Sequence, residues 1–90
     1  MRQKKGFVLR DVCGEHVIVG EGLGAVNFGR LLALNETAAW IWKKAEAIGD
    51  FTIEALVEKL CEEYDVTAEV AQSYVTDFLE QLDKEGMIEK

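Results

Sequence analysis

Short β-branched and apolar runs fill the first third of the chain, and a helical repeat of apolar positions sets in after residue 35. Phe7-Val8-Leu9-Arg10-Asp11-Val12 and His16-Val17-Ile18-Val19 are separated by Cys13-Gly14-Glu15, a three-residue, glycine-containing link that predicts a hairpin. Gly20-Glu21-Gly22-Leu23-Gly24 then reads as a flexible connection, and a third strand is expected within residues 26–34. Phe28, Arg30, Leu32 and Leu34 fall on one parity of that strand, and Asn27, Gly29, Leu31 and Ala33 on the other. Its last four residues are apolar on both faces, which calls for cover on both sides or for a partner.

The second half predicts three helices. Asn35 can accept a hydrogen bond from a free N–H of a first helical turn, with Glu36 and Thr37 at the positive end of the helix dipole. From there Ala38, Ile41, Trp42, Ala45 and Ile48 repeat at helical spacing, Trp40 adds to the buried surface, and Gly49 supplies a stop. Thr52 caps a second helix that buries Ile53, Leu56, Val57, Leu60 and Tyr64. Thr67 caps a third that carries Val70, Ala71, Tyr74, Val75, Phe78, Leu79 and Leu82. Gly86 ends it, with Leu82 and Met87 at the spacing of the apolar contact in a Schellman turn. The expected boundaries are strands over about 7–12, 16–20 and 26–34, and helices over about 36–47, 53–64 and 68–85. No proline interrupts them.

The third helical stripe is wider than the roughly 100° of arc one buried face uses. Together with the two-sided third strand it points to a groove, although a tightly packed core in a small domain explains the same pattern. A chain of 90 residues is one domain, residues 1–90, with a core of limited size. No apolar run approaches the roughly 20 residues that span a bilayer, and the basic start Met1-Arg2-Gln3-Lys4-Lys5 leads into no secretory signal. A cytoplasmic protein without membrane contact is expected.

Charge narrows the partners. Residues 1–35 carry five Lys/Arg against three Asp/Glu, a net of +2, whereas residues 36–90 carry five against fourteen, a net of −9. An acidic helical half repels phosphate, so nucleic acid is a poor partner. Three helices with a small sheet suggest a winged helix-turn-helix, but the third helix offers Glu69, Asp77, Glu80, Asp83 and Glu85 against Lys84. The ordinary role of these carboxylates, and of Glu54, Glu58 and Glu62, is a solvated face.

Catalytic chemistry finds little footing. His16 is the chain's single histidine and Ser73 its single serine, far apart in sequence and with no triad spacing. Cys13 and Cys61 lack metal-ligand neighbours and are expected as reduced thiols in or near the core. The Gly20-x-Gly22-x-Gly24 run leads into a strand with no Lys-Ser/Thr, so it serves a turn and not a phosphate cradle.

The stretch Leu34-Asn35-Glu36-Thr37-Ala38-Ala39, followed by Ile41-Trp42, resembles the junction signature of PqqD-like proteins. Phe7-x-Leu9-Arg10, Phe51-Thr52, Leu60-x-Glu62-Glu63-Tyr64-Asp65-Val66 and Leu82-x-x-x-Gly86-Met87-Ile88 extend the likeness over nearly the whole chain. These domains are the recognition elements of ribosomally made, post-translationally modified peptides. The resemblance implies an α+β fold, winged helix-turn-helix-like, with an N-terminal three-stranded antiparallel sheet and a C-terminal three-helix bundle.

It also implies a non-catalytic peptide chaperone. The leader of a precursor peptide would add as a strand beside the third strand and pack on the third helix. A radical SAM/SPASM maturase would be the partner and hold the cofactors, with none in this chain. Carried onto this sequence, the peptide-binding residues are Asn27, Phe28, Gly29, Arg30, Leu31, Leu32 and Ala33 on the strand, and Ala71, Tyr74, Val75 and Phe78 on the helix. Two alternatives stay open: a winged-helix regulatory or protein-interaction module without a peptide substrate, and a homodimer whose apolar edge is self-paired.

Overall fold

The computed structural model describes residues 1–20 and 31–89, and for Leu31 the backbone alone. In chain order the elements are β1 (Arg2–Gln3), β2 (Phe7–Val12), β3 (Glu15–Gly20), β4 (Leu31–Leu34), α1 (Glu36–Ile48), α2 (Ile53–Glu63), α3 (Ala68–Lys84) and β5 (Ile88–Glu89). The link expected over Glu21 to Gly24 and the start of the third strand, Val26 to Arg30, lie outside the described residues. The fold is α+β: β2, β3 and β4 form an antiparallel sheet in that order, and three helices follow.

The hairpin between β2 and β3 is tighter than its sequence predicts. Val12 pairs with Glu15, so the loop is Cys13-Gly14 alone, with φ values of 52° and 82°. Two consecutive positive φ values match a primed turn, whose twist suits the flanking strands. Cys13 therefore stands exposed at the hairpin tip, which corrects its expected place in or near the core; Cys61 is half-buried, and both thiols are free.

Strand register decides which side chains meet the helices. Leu9 pairs with Ile18 and Ile18 with Leu32, while His16 pairs with Leu34. Phe7, Leu9, Ile18, Leu32 and Leu34 thus share the face that packs on the helical core. From α1 come Ala38, Ile41, Trp42 and Ala45, from α2 Leu56 and Leu60, and from α3 Ala71, Val75, Phe78, Leu79 and Leu82. Each large aliphatic or aromatic side chain so enclosed contributes about 1.5–3 kcal/mol. Trp42 is buried, with no hydrogen-bond partner for its indole N–H among the described residues. Trp40 is half-buried, edge-on to Tyr64 with ring centroids 5.5 Å apart, and Lys44 Nζ lies 5.5 Å from its centroid.

All three helices start at the expected caps. The side-chain oxygens of Asn35, Thr52 and Thr67 accept from the N–H groups of Ala38, Ala55 and Val70 at 2.8, 3.1 and 3.2 Å. At the end of α3 the N–H of Gly86 donates to Asp83 O (3.0 Å) and that of Met87 to Leu82 O (2.9 Å), with Gly86 at φ 73°. That is the Schellman arrangement.

Past it lies a pairing the sequence does not announce. β5 runs antiparallel to β1, Arg2 opposite Glu89 and Gln3 opposite Ile88. The N-terminal segment is fastened further by Gln3 Nε2 donating to Trp42 O (2.8 Å) and Phe51 N–H donating to Met1 O (2.7 Å).

Candidate functional site

In the three-stranded sheet β3 is central, so β4 has one flank on β3 and one flank that no described strand covers. An uncovered strand presents main-chain N–H and C=O groups to whatever runs alongside. Helix α3 passes next to this flank. Tyr74, Asp77, Phe78 and Gln81, spaced so that they share one side of α3, face Ala33, Leu34, Asn35 and Ala38 across a cleft of about 290 Å³. A second hollow, about 430 Å³, continues past the Leu34 end of β4. It is lined by Ala33, Leu34, Asn35 and Glu36 on one side and by Gly14, Glu15 and His16 of the hairpin on the other.

One hydrogen bond holds the wall of the cleft to its floor. Tyr74 Oη donates to Asn35 Oδ1 at 3.0 Å, the same oxygen that accepts the Ala38 N–H. At the hairpin end the His16 ring Nδ1 lies 2.5 Å from Asp11 Oδ1, across the β2–β3 ladder.

The expected peptide-binding residues divide into several groups. Ala33, Tyr74 and Phe78 line the cleft together. Leu31 pairs with Val19 through the backbone, and Leu32 is half-buried against the core face. Asn27, Phe28, Gly29 and Arg30 lie outside the described residues. Ala71 and Val75, expected on the groove wall, are 0 % exposed and belong to the core cluster. The arc containing Val75, Leu79 and Leu82 is the one that packs inward, which leaves the wall to the flank beside it. Asn35, Ala38, Asp77 and Gln81 were not expected in the site. Asp77 and Gln81 sit one helical turn from Tyr74 and Phe78, but as polar residues they fall outside an apolar stripe.

A further concavity lies elsewhere. About 660 Å³ is lined by Arg2, Gln3, Lys4, Lys5, Glu46, Gly49, Asp50 and Glu89. It gathers exposed charged side chains of both signs around β1 and β5, with no large hydrophobic side chain among its lining residues. There Asp50 accepts from the N-terminal ammonium at 3.1 Å, and Arg2 lies 3.7 Å from its other oxygen. The hydrogen bond and charge of the ammonium, then the charge of Arg2, hold its carboxyl below the usual value.

Among the described residues no three His, Cys, Asp or Glu side chains converge as metal ligands, and no helix is long and apolar enough to cross a membrane. A strand flank that no described strand covers, beside a part-apolar trough, suits binding through main-chain hydrogen bonds.

The family model for coenzyme PQQ synthesis protein D (PqqD) matches residues 15–88. Two solved structures are similar in fold. The structure of TbiB1 in complex with the TbiA(beta) leader peptide has a TM-score of 0.78 at 21% identity, covering 99% of this chain and 95% of that one. A lasso peptide synthetase B1 complexed with the leader peptide has a TM-score of 0.73 at 20% identity, covering 96% of this chain and 93% of that one. No curated protein matches the chain.

Proposed function

This chain belongs to the family of coenzyme PQQ synthesis protein D (PqqD), and from that premise we propose that it is a non-catalytic peptide chaperone forming one domain over residues 1–90. It binds the leader of a ribosomally made precursor peptide by strand addition and presents the peptide to a radical SAM/SPASM maturase that holds the cofactors. The observation that carries this reading is the flank of β4 that no described strand covers, beside the Tyr74, Asp77, Phe78 and Gln81 side of α3. Added strands gain affinity from main-chain hydrogen bonds and selectivity from the side chains they lay into the neighbouring trough. Two similar folds are described as complexes with leader peptides, which supports the same use here.

In this reading Ala33, Tyr74 and Phe78 touch the peptide, and the residues from Asn27 to Leu32 contribute through their backbone. Ala71 and Val75 stand behind the wall and hold it in place. Titration of fluorescently labelled leaders encoded beside the gene tests the proposal. Dissociation constants below about 100 μM, or roughly 5.5 kcal/mol of binding, are expected. Alternate N-methylation of the peptide backbone should weaken them. Absence of binding, or indifference to N-methylation, would overturn it.

A further inference from the structure

Resting on that reading, we propose that the peptide segment taken up beside β4 is cationic: it carries Lys or Arg facing Asp77, and again beyond the Leu34 end of the strand. The argument comes from which charges line the path. Of the described residues around the two hollows, Asp77, Glu15 and Glu36 carry charge, and neither a lysine nor an arginine is among them. All three are exposed, and none has an ion-pair partner among the described residues. The other titratable groups there are already engaged, His16 with Asp11 and Tyr74 with Asn35.

One feature opposes this sign. The start of α1 opens on the second hollow, and a helix N-terminus draws anions. That pull is already taken up: Asn35 caps the helix and Glu36 places a carboxylate in its first turn. An incoming carboxylate would meet Glu36 and Glu15 at the same end. Three of the chain's ten Lys/Arg residues, Arg2, Lys4 and Lys5, line the separate concavity around β1.

The floor between the charged points is apolar. Leu34, Ala38 and Phe78 lie under the cleft, so the pattern that fits is an apolar side chain over Phe78 with basic residues before or after it. Side chains on one face of an added strand recur every second residue, which lets one segment supply both. Interface charges of this kind set partner choice and association rate more than total affinity.

The experiment uses the full chain and three labelled peptides. They share one alternating apolar sequence and differ in bearing Lys, Gln or Glu at the intervening same-face positions. Fluorescence anisotropy should rank Lys above Gln above Glu, with Lys over Glu by about tenfold, and the spread should shrink between about 50 mM and about 0.5 M salt. Asp77→Lys should narrow or invert the ranking without altering the circular dichroism, and Glu36→Gln should narrow it. Equal binding of all three peptides would overturn the charge inference and leave the strand-addition reading standing. So would tighter binding of the Glu peptide, or a ranking untouched by Asp77→Lys. Binding of none would overturn both.

Discussion

Tyr74 of α3 donates its phenolic hydrogen to Asn35 Oδ1, the oxygen that also caps α1. One carboxamide thereby fixes the start of a helix and the lateral position of the cleft wall. Asn35→Ala should cost about 1–2 kcal/mol, since it removes the cap and leaves Tyr74 without its acceptor. Tyr74→Phe keeps the ring and should cost about 0.5–1 kcal/mol. The double variant should then be less destabilised than the sum, by about 0.5 kcal/mol or more in urea melts. Strict additivity would show that the two bonds act independently.

Val75 is fully enclosed by the core cluster. Val75→Ala should lower the unfolding free energy by about 2–4 kcal/mol, through lost burial and the cavity left behind. Val75→Asp should leave no cooperative transition at all. A folded Val75→Asp protein would place this side chain at the solvent boundary and return it to the cleft.

Cys13 adopts a positive φ in the two-residue hairpin turn, a conformation that Asn tolerates better than other side chains. It is also exposed and makes no disulfide. Cys13→Asn should stabilise the protein by about 0.5–1 kcal/mol, read as a raised denaturation midpoint with unchanged slope. A loss of stability would mean that the thiol has packing partners the hairpin geometry does not suggest.

Asp50 is linked to pH in a defined direction. Its folded-state carboxyl titrates below the ordinary value of 3.8, chiefly because the N-terminal ammonium donates to it and attracts it. The unfolded chain therefore takes up the proton first. Its contribution is intact above about pH 4 and disappears as pH falls through the lowered value. Stability curves of the parent and Asp50→Asn should be separated at neutral pH and converge in acid; parallel curves throughout would remove the linkage.

Much of this fold is legible in the sequence because the governing interactions are short-ranged. Asn35, Thr52 and Thr67 each bond an N–H three residues ahead, and Gly86 closes α3 onto carbonyls within the preceding turn. The β1–β5 pair is silent for the opposite reason. Two-residue strands have no periodicity to display, and their partners sit at opposite ends of the chain. The cleft wall falls between these cases. Apolar spacing identifies the buried arc of α3 but not what it packs against, so Ala71 and Val75 stand out while Asp77 and Gln81, polar residues that line the cleft, do not. Cys13 misled through composition: a residue type usually found inside stands at a tip because the turn takes only two residues.

Pairing Arg2 with Glu89 has a topological corollary. The first and last described strands lie side by side, in a region sharing no lining residue with the hollows beside β4. Such a unit can be spliced into a surface loop of a host protein, or re-cut elsewhere with its old ends joined, by a linker of only a few residues.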